Sequence, residues 1–179
     1  MINKIIEILK GGGVVALPTD TIYGIVGDPT IESSVNKAYS IKNRARSKKI
    51  SILLDDVKRI KDIAILTPKI EEFIDTELKN NTIVLKKKDR NYLKLISDDT
   101  LGMRVPNSPF IKELIKSYGK PIFATSVNLS GNKECTTYGE IVNNFGDKID
   151  FIVKNDGMVA SNKPSHVFIA DGDDLIQVR

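Results

Sequence analysis

The chain has 179 residues, a formal net charge of +4, and 41% hydrophobic and 28% charged side chains. That is enough chain for one domain whose core needs no cross-link, and no apolar run nears the ~20 residues of a membrane span. A single cysteine, Cys135, excludes an internal disulfide and fits a reducing cytoplasm. The mild surplus of cations suits anionic partners such as nucleotides or RNA. A lysine-rich composition produces the same surplus with no partner at all.

Ile2, Ile5, Ile6 and Leu9 recur at helical spacing, and Gly11-Gly12-Gly13 stops that helix. Glu7 inside the apolar pattern argues against a secretory leader. Val14–Leu17 and Ile22–Val26 read as strands, and Val35, Ala38 and Ile41 as the stripe of a second helix. Ser51–Leu54 is a strand, after which Asp55-Asp56 can cap a short helix. Thr67-Pro68 opens a helix running to about Leu78. Thr82–Lys86 and Leu101–Val105 are strands. Ser108-Pro109 opens a helix that Gly119 ends, and Ile122–Thr125 is a strand. Thr137 and Glu140 form a capping box whose helix closes at Gly146. Phe151–Val153, His166–Ala170 and Leu175–Val178 are the last strands. The alternation predicts an α/β fold: a single domain spanning residues 1–179, with a twisted mixed sheet and flanking helices.

Four segments are more polar than a strand end requires. Pro18-Thr19-Asp20-Thr21-Ile22-Tyr23-Gly24 follows a buried strand, where α/β proteins bind ligands, but an ordinary hydroxyl turn has the same composition. Lys42-Asn43-Arg44-Ala45-Arg46-Ser47-Lys48-Lys49 holds five cations and no acid. Such a run repels itself unless an anion joins it, and Arg with Lys suits a triphosphate; a solvated charge run is the bland reading. Arg104 lies inside an apolar strand and should meet a carboxylate, either a ligand's or an internal one. Thr125-Ser126-Val127-Asn128-Leu129-Ser130-Gly131 can offer hydroxyl and backbone donors to phosphate or carboxylate oxygens.

The chain has no G-x-x-x-x-G-K-S/T loop and no G-x-S-x-G elbow. Its one histidine, His166, has no nucleophile motif nearby, and Cys135 has no companion for a protein-held metal. Chemistry here must work by positioning substrates and neutralising charge, as nucleotidyl transfer from ATP does.

In order along the chain, these segments resemble the threonylcarbamoyl-AMP synthase (YrdC-like) family. Pro18–Gly24 matches a Pro-Thr-acid-Thr-x-aromatic-Gly stretch, and Lys42, Arg44 and Lys48 match a K-x-R-x-x-x-K run. Arg104-Val105-Pro106 matches a strand end, Tyr118–Gly131 matches Y-G-K-P-x-x-x-T-S-x-N-x-S-G, and Ser165-His166-Val167 matches a late Ser-x-Val. The resemblance implies a YrdC-like fold in its short form. It also implies joining of L-threonine, bicarbonate (or CO2) and ATP into threonylcarbamoyl-AMP and pyrophosphate, with Mg2+ accompanying ATP. The product would serve N6-threonylcarbamoyladenosine formation in tRNA, through tRNA-threonylcarbamoyl transferase partners in the cytoplasm.

By matching position, the resemblance assigns Thr21, Arg104, Ala124 and Ser165 to L-threonine, with Arg104 on its carboxylate. It assigns Arg44, Lys48, Thr100, Ser126 and Arg179 to ATP, and Lys42, Arg44 and Lys48 to catalysis at the phosphates. Ala45 and Lys49 stand where the family has proline, Lys79-Asn80-Asn81 where it has Pro-Gly-Pro, and His166 where it has Thr. A second reading is a non-catalytic, ribosome-associated module of the same fold that binds double-stranded RNA, and tRNA or double-stranded RNA is an expected partner in either case. A third, the carbamoyl-transfer domain of hydrogenase maturation, belongs to much longer chains.

Overall fold

In chain order the elements are α1 (Ile2–Lys10), β1 (Val15–Leu17), β2 (Gly24–Gly27), α2 (Glu32–Ile41), β3 (Ser51–Leu53), α3 (Lys58–Ile63), α4 (Pro68–Thr76), β4 (Thr82–Lys86), β5 (Thr100–Arg104), α5 (Pro109–Tyr118), β6 (Ile122–Ser126), α6 (Tyr138–Phe145), β7 (Phe151–Ile152), β8 (Val167–Asp171) and β9 (Asp174–Gln177). This computed structural model describes residues 1–154, 161 and 163–179. Contacts gather into two compact units: Met1–Lys48 with Ile122–Pro164, and Lys49–Pro121 with Ser165–Arg179. The α/β class and the mixed strand pairing agree with the pattern in the sequence.

In the first unit, β1 pairs antiparallel with β2 and parallel with β7, and β2 pairs antiparallel with β6. Ile5 and Leu9 of α1, Val35 and Ala38 of α2, and Ile141 and Phe145 of α6 are the buried stripes of their helices. They cover strands whose residues are themselves buried, as continuous apolar runs such as Val14–Leu17 require. Gly27 shows how tight this packing is. A Cβ there would lie 2.3 Å from the Phe123 ring and 2.4 Å from Ser34 Oγ, so only glycine lets β2, β6 and α2 close together.

In the second unit, β5 lies between β3, its parallel partner, and β4, its antiparallel partner. On its other side β4 pairs parallel with β8, which forms an antiparallel hairpin with β9. Helix α5 buries Ile111, Leu114, Ile115 and Tyr118, the i, i+3, i+4, i+7 set of one face. Ser108 caps it by accepting the Ile111 N–H, Pro109 fills its first turn, and Gly119 closes it at φ 83.

Element boundaries shift where side chains capture backbone groups. β2 starts at Gly24 and not at Ile22 because Thr19 holds the preceding residues in a turn. Its hydroxyl accepts the Thr21 N–H at 3.0 Å and donates to the Ile22 carbonyl at 2.7 Å. Helix α4 stops at Thr76 because the Glu77 and Leu78 amides both donate to the Phe73 carbonyl, and Lys79 turns left-handed at φ 40. α3 begins after Val57, with the Asp56 carboxylate accepting the Lys58 N–H at 2.8 Å. His166 falls just outside β8.

The capping box is present as read. The Thr137 hydroxyl accepts the Glu140 N–H, and the Glu140 carboxylate accepts the amides of Thr136 and Thr137, which lowers its pKa. Thr137→Ala should therefore cost about 1 kcal/mol, seen as a fall of roughly 2–4 °C in the melting midpoint by calorimetry.

Candidate functional site

On the first unit the polar groups collect at the end of β6. Alternation puts Ala124 and Ser126 on one face of that strand, opposite Val26 and Gly24 of β2, while Phe123 and Thr125 take the other face. Beyond Ser126 the chain enters a loop built around Lys42. That residue is the C-cap of α2 and is 1% exposed. Its ammonium donates to the Ser126 carbonyl at 2.5 Å, the Asn128 carbonyl at 3.2 Å and Asn128 Oδ1 at 2.5 Å. Asn128 Oδ1 also accepts from Ser126 Oγ at 2.8 Å, and its amide donates to the Asn132 carbonyl at 2.7 Å. Burial is the main cause that pulls the Lys42 ammonium down to about 8, with Arg44 second, while Glu134 and Cys135 oppose it.

The cation run is therefore not one patch of like charge. Lys42 points inward, and Arg44 is half-buried with its Nε donating to the Lys48 carbonyl at 2.9 Å. Burial lowers the Arg44 pKa from its ordinary value, and Tyr39 opposes this. Arg46 lies 4.2 Å over the Tyr39 ring and bonds Asn36 Oδ1. The Tyr39 hydroxyl joins the Lys48 carbonyl at 3.1 Å, so the turn is braced and the Lys48 side chain is left exposed. Lys49, read from the sequence as one more member of the run, pairs with Asp98 at 3.0 Å in the second unit. Thr21 is buried, with its hydroxyl 2.9 Å from that of Thr19.

On the second unit, alternation along β5 puts Thr100, Gly102 and Arg104 on one face. The opposite face carries Met103 beside Ile83 and Phe168, and the Phe168 ring packs edge-on against Phe73 of α4 at 5.1 Å. The register sets Arg104 directly across from Thr82, so both side chains share the face that α4 does not cover. Arg104 is buried, and its Nε donates to the Asn80 carbonyl at 2.8 Å. The buried hydroxyls of Thr82 and Ser165 lie 3.1 Å apart. Arg179 donates from Nε to the Ser165 carbonyl at 3.1 Å, and its NH2 reaches Ser165 Oγ at 3.5 Å.

The Arg104 guanidinium lies across from Thr82, whose hydroxyl meets that of Ser165, a set of groups that suits a carboxylate and a hydroxyl. Sequence reasoning gave no role to Thr82, Asn80 or Asn128. The signals were a threonine opening an apolar strand and the Asn of the Thr-Ser-x-Asn stretch. Asn81, in the segment that departs from Pro-Gly-Pro, accepts the His166 N–H through Oδ1 at 3.2 Å. His166 is exposed, and its Nδ1 bonds Gln177 Nε2 at 3.0 Å. The Cys135 thiol is buried, which raises its pKa, as expected of a packed residue and not of a nucleophile.

The pattern of the Sua5/YciO/YrdC family, described as telomere recombination, matches residues 7–178. The chain belongs to this family. A relative in Methanocaldococcus jannaschii, provisionally named a threonylcarbamoyl-AMP synthase, is 32% identical over 99% of this chain and 86% of its own. The threonylcarbamoyl-AMP synthase of Enterobacter sp. (strain 638) is 29% identical over 87% of this chain and 85% of its own. Among solved structures, P. abyssi Sua5 complexed with L-threonine superposes with a TM-score of 0.86 at 24% identity. It covers 99% of this chain, which spans 53% of that protein's length, and at this identity the likeness speaks for the fold. Among the described residues no helix is long and apolar enough to cross a membrane.

Proposed function

We propose that this chain is a threonylcarbamoyl-AMP synthase that condenses L-threonine, bicarbonate or CO2, and ATP. The observation that carries the reading is the grouping of Arg104, Thr82 and Ser165 on one face of the second unit, in a chain whose relatives bear that name over most of its length. Arg104 takes the threonine carboxylate and Ser165 meets its polar groups; Thr21 and Ala124 are assigned to threonine by their matching positions in the family pattern alone. Arg44, Lys48, Ser126, Thr100 and Arg179 serve ATP. The neutral threonine amine adds to CO2 and releases a proton to water, giving a carbamate. A carbamate oxygen attacks the α-phosphorus, the bond to the β-phosphate's bridging oxygen breaks, and pyrophosphate leaves.

His166 Nδ1 is engaged by Gln177 and the Cys135 thiol is buried, so the protein's share in this reading is orientation and charge neutralisation. Mg2+ would enter with ATP and neutralise charge on its phosphates. Among the described residues no group of three or more His, Cys, Asp or Glu is gathered that could hold it. The mixed anhydride would pass to a cytoplasmic transferase acting on tRNA.

The test is pyrophosphate release from ATP and bicarbonate with and without L-threonine. Release that depends on threonine and bicarbonate together supports the reading, and release indifferent to threonine overturns it. Arg44→Ala and Lys48→Ala should each weaken ATP binding by roughly 1.5–3 kcal/mol, one charge-assisted contact each. Calorimetry reads this directly, and unchanged affinity in both would return the 42–49 segment to the role of a solvated turn.

A further inference from the structure

Lys42 does what an ordinary phosphate-binding lysine does not. A lysine that binds phosphate must leave ammonium donors available to the anion. Here the side chain is 1% exposed, and its three donors are met by the carbonyls of Ser126 and Asn128 and by Asn128 Oδ1, with Ser126 Oγ at 3.5 Å. The backbone of Lys42 binds the same loop, since its carbonyl accepts the Ser130 N–H at 2.7 Å. Cys135 N–H closes the loop onto the Val127 carbonyl at 2.8 Å. Both ends of one residue are therefore tied to the chain between Ser126 and Ser130.

A trans peptide is planar, with C=O and N–H directed oppositely, and no peptide bond described here is cis. Drawing the Ser126 and Asn128 carbonyls onto the ammonium turns the amides of Val127 and Leu129 away from it. An internal cation that gathers carbonyls thereby presets outward amide donors, the element from which backbone anion sites are made.

We infer that Lys42 is a positioning residue: it fixes the 126–130 loop so that Ser126 Oγ and the loop amides are set for a phosphate group, and it does not itself touch that group. This rests on the reading of Ser126 as an ATP residue, but the loop's dependence on Lys42 needs no nucleotide. The charged and titratable groups facing the ammonium are Arg44, Glu134 and Cys135. A guanidinium keeps its charge here and burial raises the Cys135 pKa, so the charge that changes near pH 8 is that of Lys42.

The experiment follows the backbone amide resonances of Val127, Leu129 and Ser130 in the nucleotide-free protein from pH 7 to 10. They should move together with a midpoint near 8. Cys135→Ser should leave that transition in place, which separates it from the thiol. Lys42→Met should abolish it and shift the same resonances at pH 7. Asn128→Ala, a milder change at the other end of the contact, should shift them too. The folded pKa of about 8 lies below the ordinary 10.5, so between these values the unfolded chain holds a proton that the folded chain has lost. Wild-type stability relative to Lys42→Met should then rise with pH across this window, while the loop loosens.

With ATP added, each single variant should lose affinity roughly tenfold to a hundredfold, and the double variant should lose little more than either, because both act through one loop. Loop amides that are flat with pH and unchanged in Lys42→Met would overturn the inference, as would fully additive losses of ATP affinity. Loop amides that behave as expected in a protein that binds no ATP would leave the clamp standing and remove the proposed function instead.

Discussion

L-Valine offered in place of L-threonine should be nearly inert. Valine has the shape of threonine but lacks the hydroxyl, and the hydroxyls of Ser165 and Thr82 are buried 3.1 Å from each other on the face that carries Arg104. A site built to bond a substrate hydroxyl leaves its own polar groups unmatched when the analogue enters, and such sites discriminate by up to ~10⁴-fold in favourable cases. The comparison of kcat/KM for pyrophosphate release with the two amino acids reads the effect. L-Serine is the companion test: it keeps the hydroxyl and drops a methyl group, and should lose only ~10–200-fold. Equal turnover of valine would mean that the hydroxyl pair does not face the amino acid.

Arg104→Lys should abolish most threonine use while leaving the charge of the protein unchanged. Two features of the arginine are lost together. Its planar fork can meet a carboxylate with two parallel hydrogen bonds, and its Nε is anchored at 2.8 Å on the Asn80 carbonyl, which aims the fork. Losing two charge-assisted contacts costs about 3 kcal/mol or more, so kcat/KM for threonine should fall at least ~100-fold. A surface that binds RNA through cation number would not register the substitution, because the count is unchanged. Full catalytic rate with lost RNA affinity would place Arg104 against nucleic acid and reverse the assignment.

The fold was legible because its signals are local. The Ser108-Pro109 and Thr67-Pro68 starts, the Thr137–Glu140 box and the Gly119 stop each rest on contacts within one turn, and all are present. What the sequence hid depends on distant partners. The 42–49 segment reads as one block of positive charge, but its members go to different fates according to what folds beside them. Lys42 is drawn under a loop more than 80 residues away, Arg46 is laid on Tyr39, and Lys49 is paired with Asp98. The same holds for Thr82. Only the β4–β5 register and the return of the chain at Ser165 make its hydroxyl part of a polar cluster. Departures from the family pattern also have local answers. Asn81, in place of a proline, supplies the side-chain oxygen that holds His166 N–H, while the Asn80 group that holds Arg104 is a main-chain carbonyl that any residue provides.

The most direct test of the central claim is the transfer of carbon from radiolabelled bicarbonate into an acid-labile adenylate, followed by chromatography and mass spectrometry. With ATP, Mg2+ and L-threonine present, label should enter a single product that contains AMP, threonine and one carboxyl carbon. Pyrophosphate should form in equal amount, and omitting L-threonine should stop both. Pyrophosphate or ADP formed with no label in a threonine-containing adenylate would contradict the account.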